Sequence, residues 1–139
     1  MPVQIPDSHR DLLDRPIPVT LATVNPNGQP QLSVVWCNVD GEHILINTAR
    51  GRLKEKNMAS RPMVTILAFD QDDPYRYIEV RGKVVDMTED GAVDHIDLLA
   101  HLYTGRERYY GGFQAAERAA RETRVICKVM PLKVVTYGH

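Results

Sequence analysis

The sequence predicts a mainly β protein, a six-stranded antiparallel barrel carrying small helices at its periphery. Three observations point there. Six segments read as strands, and most are joined by tight-turn residues. The helical segments are short and do not alternate with the strands. No Gly-x-Gly-x-x-Gly occurs, which disfavours a parallel doubly wound sheet. A length of 139 residues, with 43% hydrophobic and 25% charged residues, suits one compact domain spanning 1–139.

In chain order, Asp7 or Ser8 can cap a short helix through Leu12 and Leu13, which Pro16 and Pro18 end. Val19 to Val24 reads as the first strand. Asn25-Pro26-Asn27-Gly28 turns it into a second, Gln31 to Val39, and the pair forms a hairpin. Asp40-Gly41 turns again into His43 to Asn47, the third strand of a meander. A two-turn helix from about Arg52 to Ser60 stops at Arg61-Pro62, because a residue before proline is pushed out of the helical region. Val64 to Phe69 and a long segment from Tyr75 to Asp86 supply two more strands, with Tyr75, Tyr77, Glu79 and Arg81 on one face by the period of two. Thr88 caps a helix from Glu89 to about Tyr103, whose inward stripe is Val93, Ile96, Leu99, Ala100 and Tyr103. Gly105 to Gly112 is loop. A short helical piece at Gln114 to Arg121 precedes the last strand, Val125 to Val135, which Pro131 interrupts at an edge or bend.

Composition removes several function classes. A formal net charge of −1 argues against a nucleic-acid binder driven by counterion release. The longest apolar runs fall well short of the roughly 18 residues of a membrane span. Cys37 and Cys127 lie far apart without a Cys-x-x-Cys, and Met1-Pro2-Val3-Gln4 opens no apolar signal segment, so a reduced cytoplasmic protein is expected. Both cysteines sit in apolar strands, where an inert buried thiol is the default. His9, His43, His95, His101 and His139 form no i, i+4 pair and no metal motif; most are expected at the surface. No Gly-x-Ser-x-Gly elbow supports hydrolase chemistry, and no side chain is assigned as catalytic.

One segment carries a positive signal. In Asn47-Thr48-Ala49-Arg50-Gly51-Arg52-Leu53-Lys54-Glu55-Lys56-Asn57, four cations and a glycine crowd the passage from strand to helix. A helix start offers unpaired backbone N–H groups and the positive end of the macrodipole, so an anion placed there meets donors and charge together. The bland alternative is a solvated basic face. Tyr109-Tyr110-Gly111-Gly112 allows a flap over a site, although an aromatic loop folded onto the barrel is the commoner outcome.

The ordered set Leu21-Ala22-Thr23, Asn27-Gly28-Gln29-Pro30-Gln31, Val35-Trp36, Asn47-Thr48, Arg52-x-Lys54-x-x-Asn57, Pro62 and Tyr77-Ile78-Glu79-Val80-Arg81-Gly82-Lys83-Val84 resembles the pyridoxamine 5′-phosphate oxidase-like split β-barrel family. Within it, the chain is most similar to the small proteins assigned as coenzyme F420-dependent oxidoreductases. The resemblance implies a split barrel and a homodimer with two cofactor sites at the subunit interface. It places the cofactor phosphate on Thr48, Arg52, Lys54 and Asn57, with Asn47 in the same set. The ring is expected along the second strand, where Gln31, Ser33 and Val35 share one face and Trp36 takes the other. Trp36 reads equally well as packing, and Tyr77 matches a position contributed by the second subunit.

The implied activity is hydride transfer between reduced F420 and a small conjugated or aromatic acceptor, the cofactor carrying the chemistry. FMN is the alternative cofactor, since it shares the tricyclic ring and the side-chain phosphate. Pyridoxamine phosphate oxidation itself fits less well, because the chain ends at Tyr137-Gly138-His139 without that enzyme's longer substrate-binding segment. A noncatalytic module binding a flavin, deazaflavin or tetrapyrrole is the reading from another class.

Overall fold

The computed structural model describes residues 3–139. Its elements in chain order are α1 (Asp11–Asp14), β1 (Val19–Val24), β2 (Pro30–Val35), β3 (Cys37–Asp40), β4 (His43–Ala49), α2 (Leu53–Ser60), β5 (Met63–Phe69), β6 (Tyr77–Thr88), α3 (Ala92–Thr104) and β7 (Arg124–Tyr137), with a 3₁₀ turn at Ala116–Ala120 before the last strand. The strands form one antiparallel sheet in the order β2-β1-β5-β6-β7-β4-β3.

The sheet therefore has seven strands and not the six expected, because the segment from Gln31 to Val39 is two strands that break at Trp36. The halves pair with different neighbours: β2 with β1, β3 with β4. These halves lie at opposite ends of the strand order yet are joined by a single residue. The sheet must curl until its two edges meet at Trp36, and that seam is where the barrel is split. Tyr103 of α3 holds the break open. Its hydroxyl accepts from the Cys37 N–H at 3.1 Å and lies 3.0 Å from the Cys37 carbonyl, to which it can donate, taking the backbone groups that a continuous strand would pair. The expected meander accordingly becomes two separate hairpins.

Inward residues at alternate positions fill the barrel. Leu21, Ile44, Ile46, Ile66, Ile78, Val80 and Val125 are fully buried, and each such side chain contributes roughly 1.5–3 kcal/mol of transfer free energy. β6 and β7 bend by register shifts at Arg81/Gly82 and Val84/Asp86. Pro131, expected at an edge or bend of the last strand, sits opposite Gly82 at the first shift, the kind of irregularity where a residue without an N–H is tolerated. Gly82 is required there: a Cβ would stand 2.7 Å from Val129 Cγ1 and 2.8 Å from the Met130 carbonyl oxygen.

Helix boundaries differ in small ways from expectation. α1 begins only at Asp11, with no side-chain cap, and β6 begins at Tyr77, leaving Tyr75 in the preceding turn. α3 begins at Ala92, since the Thr88 hydroxyl caps a turn by accepting from Asp90 N–H at 3.2 Å. This rotates the inward stripe to Ala92, His95, Ile96, Leu99 and Ala100, and Val93 is 51% exposed. Among the described residues no helix is long and apolar enough to cross a membrane. Both cysteines are buried and free, their thiols pushed up to about 12 chiefly by burial.

Candidate functional site

A cleft of about 260 Å³ opens at the seam. Val34, Val35 and Trp36 from the end of β2 form one side, Asn47 of β4 and Arg124 of β7 the floor, and Arg52 and Lys54 the basic end. Ile96 of α3 and Tyr109 and Phe113 of the following loop close the remaining wall. The curl that splits the second strand thus brings both sheet edges and the start of α2 to one place.

The basic end is built by the turn before α2. Gly51 turns the chain with φ +91°, a left-handed conformation open to glycine at little cost. Arg52 is the N-cap and provides no side-chain cap. The Glu55 carboxylate reaches back to accept the Gly51 N–H at 2.8 Å, a variant of the capping box. The backbone N–H groups of Leu53 and Lys54, at the first two helical positions, have no carbonyl partner within the helix. Arg50 is drawn away by Glu89 at 3.0 Å and Glu55 at 3.4 Å, and Lys56 is exposed, so neither belongs to the cleft.

Lys54 forms no ion pair among the described residues. Burial and then the like charges of Arg52 and Arg124 pull its ammonium below the usual lysine range. Arg52 and Arg124 share one carboxylate, Glu122, at 2.9 and 3.3 Å. The basic end therefore gathers cations faster than counter-ions, which is the electrostatic mark of an anion site.

Arg124 was not anticipated from sequence. Its side chain is 2% exposed, its Nε donates to Asn47 Oδ1 at 2.9 Å and its guanidinium lies 4.9 Å from the centre of the Tyr109 ring, a cation–π contact. Behind it runs a closed polar chain. Asn47 Nδ2 donates to the Ala92 carbonyl at 2.8 Å, which fixes the amide orientation, and also to His95 Nδ1 at 3.0 Å. His95 is then protonated at Nε2, which donates to Asn38 Oδ1 at 2.7 Å. Burial, followed by the Arg124 charge, pulls His95 down to about 4, so it is neutral at ordinary pH. His95, and His9 with it, is buried and not at the surface where most histidines were expected.

The aromatic wall is continuous. Trp36 stacks on Tyr103 with ring centroids 5.2 Å apart and meets Phe113 edge-on at 5.0 Å. Tyr109 and Phe113 stack at 5.8 Å. The loop after α3 is thus folded onto the barrel, while Phe113 remains 44% exposed at the cleft mouth.

The model of the family described as pyridoxamine 5′-phosphate oxidase matches residues 5–136. The chain belongs to the pyridoxamine 5′-phosphate oxidase family. A solved structure named F420 reductase is 34% identical, with a TM-score of 0.80, the match covering 94% of this chain and 98% of that one. A conserved hypothetical protein from Mycobacterium tuberculosis is 23% identical with a TM-score of 0.72, over 99% and 87% of the two chains. General Stress Protein 26 from Bacillus anthracis, 18% identical with a TM-score of 0.60 over 92% of both chains, shares the fold.

Of the residues that the pyridoxamine 5′-phosphate oxidase resemblance singled out, the cleft brings together Val35, Trp36, Asn47, Arg52 and Lys54. Gln31, Ser33 and Thr48 are not among its lining residues. The Ser33 and Thr48 hydroxyls are buried without a hydrogen-bond partner among the described residues. Gln31 Oε1 accepts from Thr23 Oγ1 at 2.6 Å. Asn57 is turned the other way: its amide donates to Thr23 Oγ1 at 3.0 Å and Asn25 Oδ1 at 2.9 Å and accepts from Arg61 at 3.0 Å, pinning α2 to β1.

Tyr77 stands apart on the outer face of the sheet. It stacks on Tyr137 at 5.8 Å beside an apolar groove formed with Leu32, Leu67 and Phe69. Missed besides Arg124 were Phe113 and Glu122, while Tyr109 belongs to the aromatic loop that the sequence offered either as a flap or as packing on the barrel. An arginine heading an otherwise apolar strand was the available signal for the first.

Proposed function

We propose that the seam cleft binds the phosphate-bearing side chain and tricyclic ring of coenzyme F420, and that the chain is an F420-dependent oxidoreductase acting on a small conjugated or aromatic acceptor. The observation that carries this reading is the basic end: Arg52, Lys54 and Arg124 in one cleft, with Lys54 free of any ion pair among the described residues. A phosphate there would meet a guanidinium fork, a point charge and helix-start N–H groups. The backbone N–H groups of Leu53 and Lys54, unpaired within α2, add donors beside these cations, so the residues present fit a phosphate-bearing cofactor. The 34% identity to the F420 reductase supports the deazaflavin over other phosphate ligands.

When bound, the cofactor would supply a hydride to the acceptor or accept one. The protein's part is to anchor and to orient. Arg52 and Lys54 fix the phosphate, which restricts the ring to the strip along Val35 and Trp36. The wall formed by Trp36, Tyr109 and Phe113 excludes water from one side and offers flat apolar surface to an acceptor.

The outer face bearing Tyr77, Leu32, Leu67 and Phe69 is proposed as a homodimer interface. Val34, 73% exposed, lines the cleft from the same strand that carries Leu32, so a second subunit seated there would border the cofactor site. The buried free thiols agree with the reducing cytoplasm as its compartment.

Parallel titration of the purified protein with F420 and FMN tests the reading, followed by assay of acceptor reduction. Saturable F420 binding with turnover of a conjugated acceptor is expected. Tighter binding of FMN would move the assignment to an FMN oxidoreductase, and tight binding of either with no acceptor turned over would favour a noncatalytic carrier. Binding of neither removes the proposal.

A further inference from the structure

Glu122 links two cations of the cleft to the loop that carries its aromatic wall. Its Oε2 accepts from Arg52 at 2.9 Å and Arg118 at 3.1 Å; its Oε1 accepts from the Tyr110 hydroxyl at 2.6 Å and Arg124 at 3.3 Å. Burial would push this carboxyl up, but the hydrogen bonds from Tyr110 and Arg52 outweigh it and hold the group at about 2. Burial and then that carboxylate push the Tyr110 hydroxyl up to about 12, so it remains a donor.

From Tyr110 the contacts continue into the wall. Tyr110 meets Tyr109 edge-on at 4.9 Å, and Tyr109 and Phe113 both pack on Trp36, at 6.1 and 5.0 Å. Two other contacts hold the same loop: Tyr109 N–H to Asp97 Oδ1 at 2.8 Å, which involves no cation of the cleft, and the Arg124 guanidinium 4.9 Å from the Tyr109 ring, which involves one. The Glu122 tether differs from both in joining two of the cleft's cations to the loop. It shares Arg52 and Arg124 with whatever anion the cleft holds.

We infer that Glu122 is a positioning residue that couples the anion-binding end of the cleft to its aromatic wall, so that an anion on Arg52 and Lys54 shifts the packing of Tyr109 and Phe113 on Trp36. The inference rests on the cleft being an anion site. An anion that draws on the Arg52 guanidinium weakens its bond to Glu122 and concentrates the carboxylate's charge on Tyr110 and Arg118, because charge-assisted bonds to one carboxylate compete. Coupling of this kind is reciprocal: a flat ligand that repacks the wall changes anion affinity by the same factor. The cleft's affinity for a flat acceptor then depends on whether the phosphate is seated, without a moving domain.

The chain has one tryptophan, so Trp36 emission reports on the wall. Inorganic phosphate is titrated into the full chain and followed in parallel by calorimetry and by Trp36 fluorescence. In the wild type both signals saturate at one midpoint. In Tyr110→Phe, which keeps Glu122 and every cation, the calorimetric Kd stays within about twofold while the Trp36 response falls by about threefold or more. Glu122→Gln loses the Trp36 response even at saturating phosphate. Binding heat with unmoved Trp36 emission in the wild type, or a full response in Tyr110→Phe, overturns the coupling and leaves the anion site standing. Absence of binding heat in the wild type overturns both.

Discussion

Replacing Lys54 with methionine should move affinity and stability in opposite directions. The ammonium sits half-buried beside Arg52 and Arg124, has no ion-pair partner among the described residues, and is pulled down first by burial and then by those two charges. Repulsion between like charges at a half-exposed site is cut by solvent screening, so the net relief is ~0.5–1 kcal/mol. Methionine keeps most of the apolar stem, so little packing is lost. The variant should therefore unfold at equal or higher denaturant concentration than the wild type. Loss of a charge-assisted contact to phosphate costs ~1.5–3 kcal/mol, a weakening of F420 binding by about tenfold to 150-fold. Urea unfolding followed by Trp36 fluorescence and F420 titration by deazaflavin fluorescence give the two numbers. A variant destabilised by more than about 1 kcal/mol with unchanged F420 affinity would show Lys54 to be a structural cation and refute the reasoning.

Three further outcomes follow from the same geometry. Asn57→Ala removes three hydrogen bonds at once, those with Thr23, Asn25 and Arg61, and should cost ~2–3 kcal/mol in chemical denaturation; a stable variant with lost cofactor affinity would instead make Asn57 a direct ligand. His95 titrates near 4 when folded and near 6.5 when unfolded. The unfolded chain thus binds the extra proton between those values. Its contribution is complete above pH 6.5 and fades toward pH 4, by an order of ~2–3 kcal/mol, a slope that His95→Gln should lack in a pH series of unfolding midpoints. Gly82→Ala forces a Cβ into Val129 and the Met130 carbonyl and should lower stability by about 2 kcal/mol or more, whereas an unchanged melting temperature would mean that the bulge yields freely.

The basic corner was legible because its signals are local: strand, glycine turn, cations and helix start all fall within eleven residues, with Gly51 turning the chain and Arg52 and Lys54 lining one cleft. The strands were legible by alternation and turn chemistry. What alternation cannot reveal is which neighbour a strand pairs with. Gln31 to Val39 reads as one continuous strand, and only the distant Tyr103 hydroxyl, taking the Cys37 backbone groups, divides it. Arg124, Tyr109 and Phe113 reach the cleft through the same long-range closure. The sequence did not single out His95 among the five histidines, because the partners that accompany its burial, Asn38 and Asn47, lie 57 and 48 residues away. Asn57 shares the Arg52-x-Lys54 pattern but faces β1, since an eight-residue helix packed on the barrel must turn one side inward.

Location of the bound cofactor tests the central claim most directly. A crystal structure of the protein with F420 should place the phosphate within about 3 Å of Arg52 and Lys54, with the ring along Val35 and Trp36. Density for F420 in the groove beside Tyr77 and Phe69, with the seam cleft clear, would contradict it.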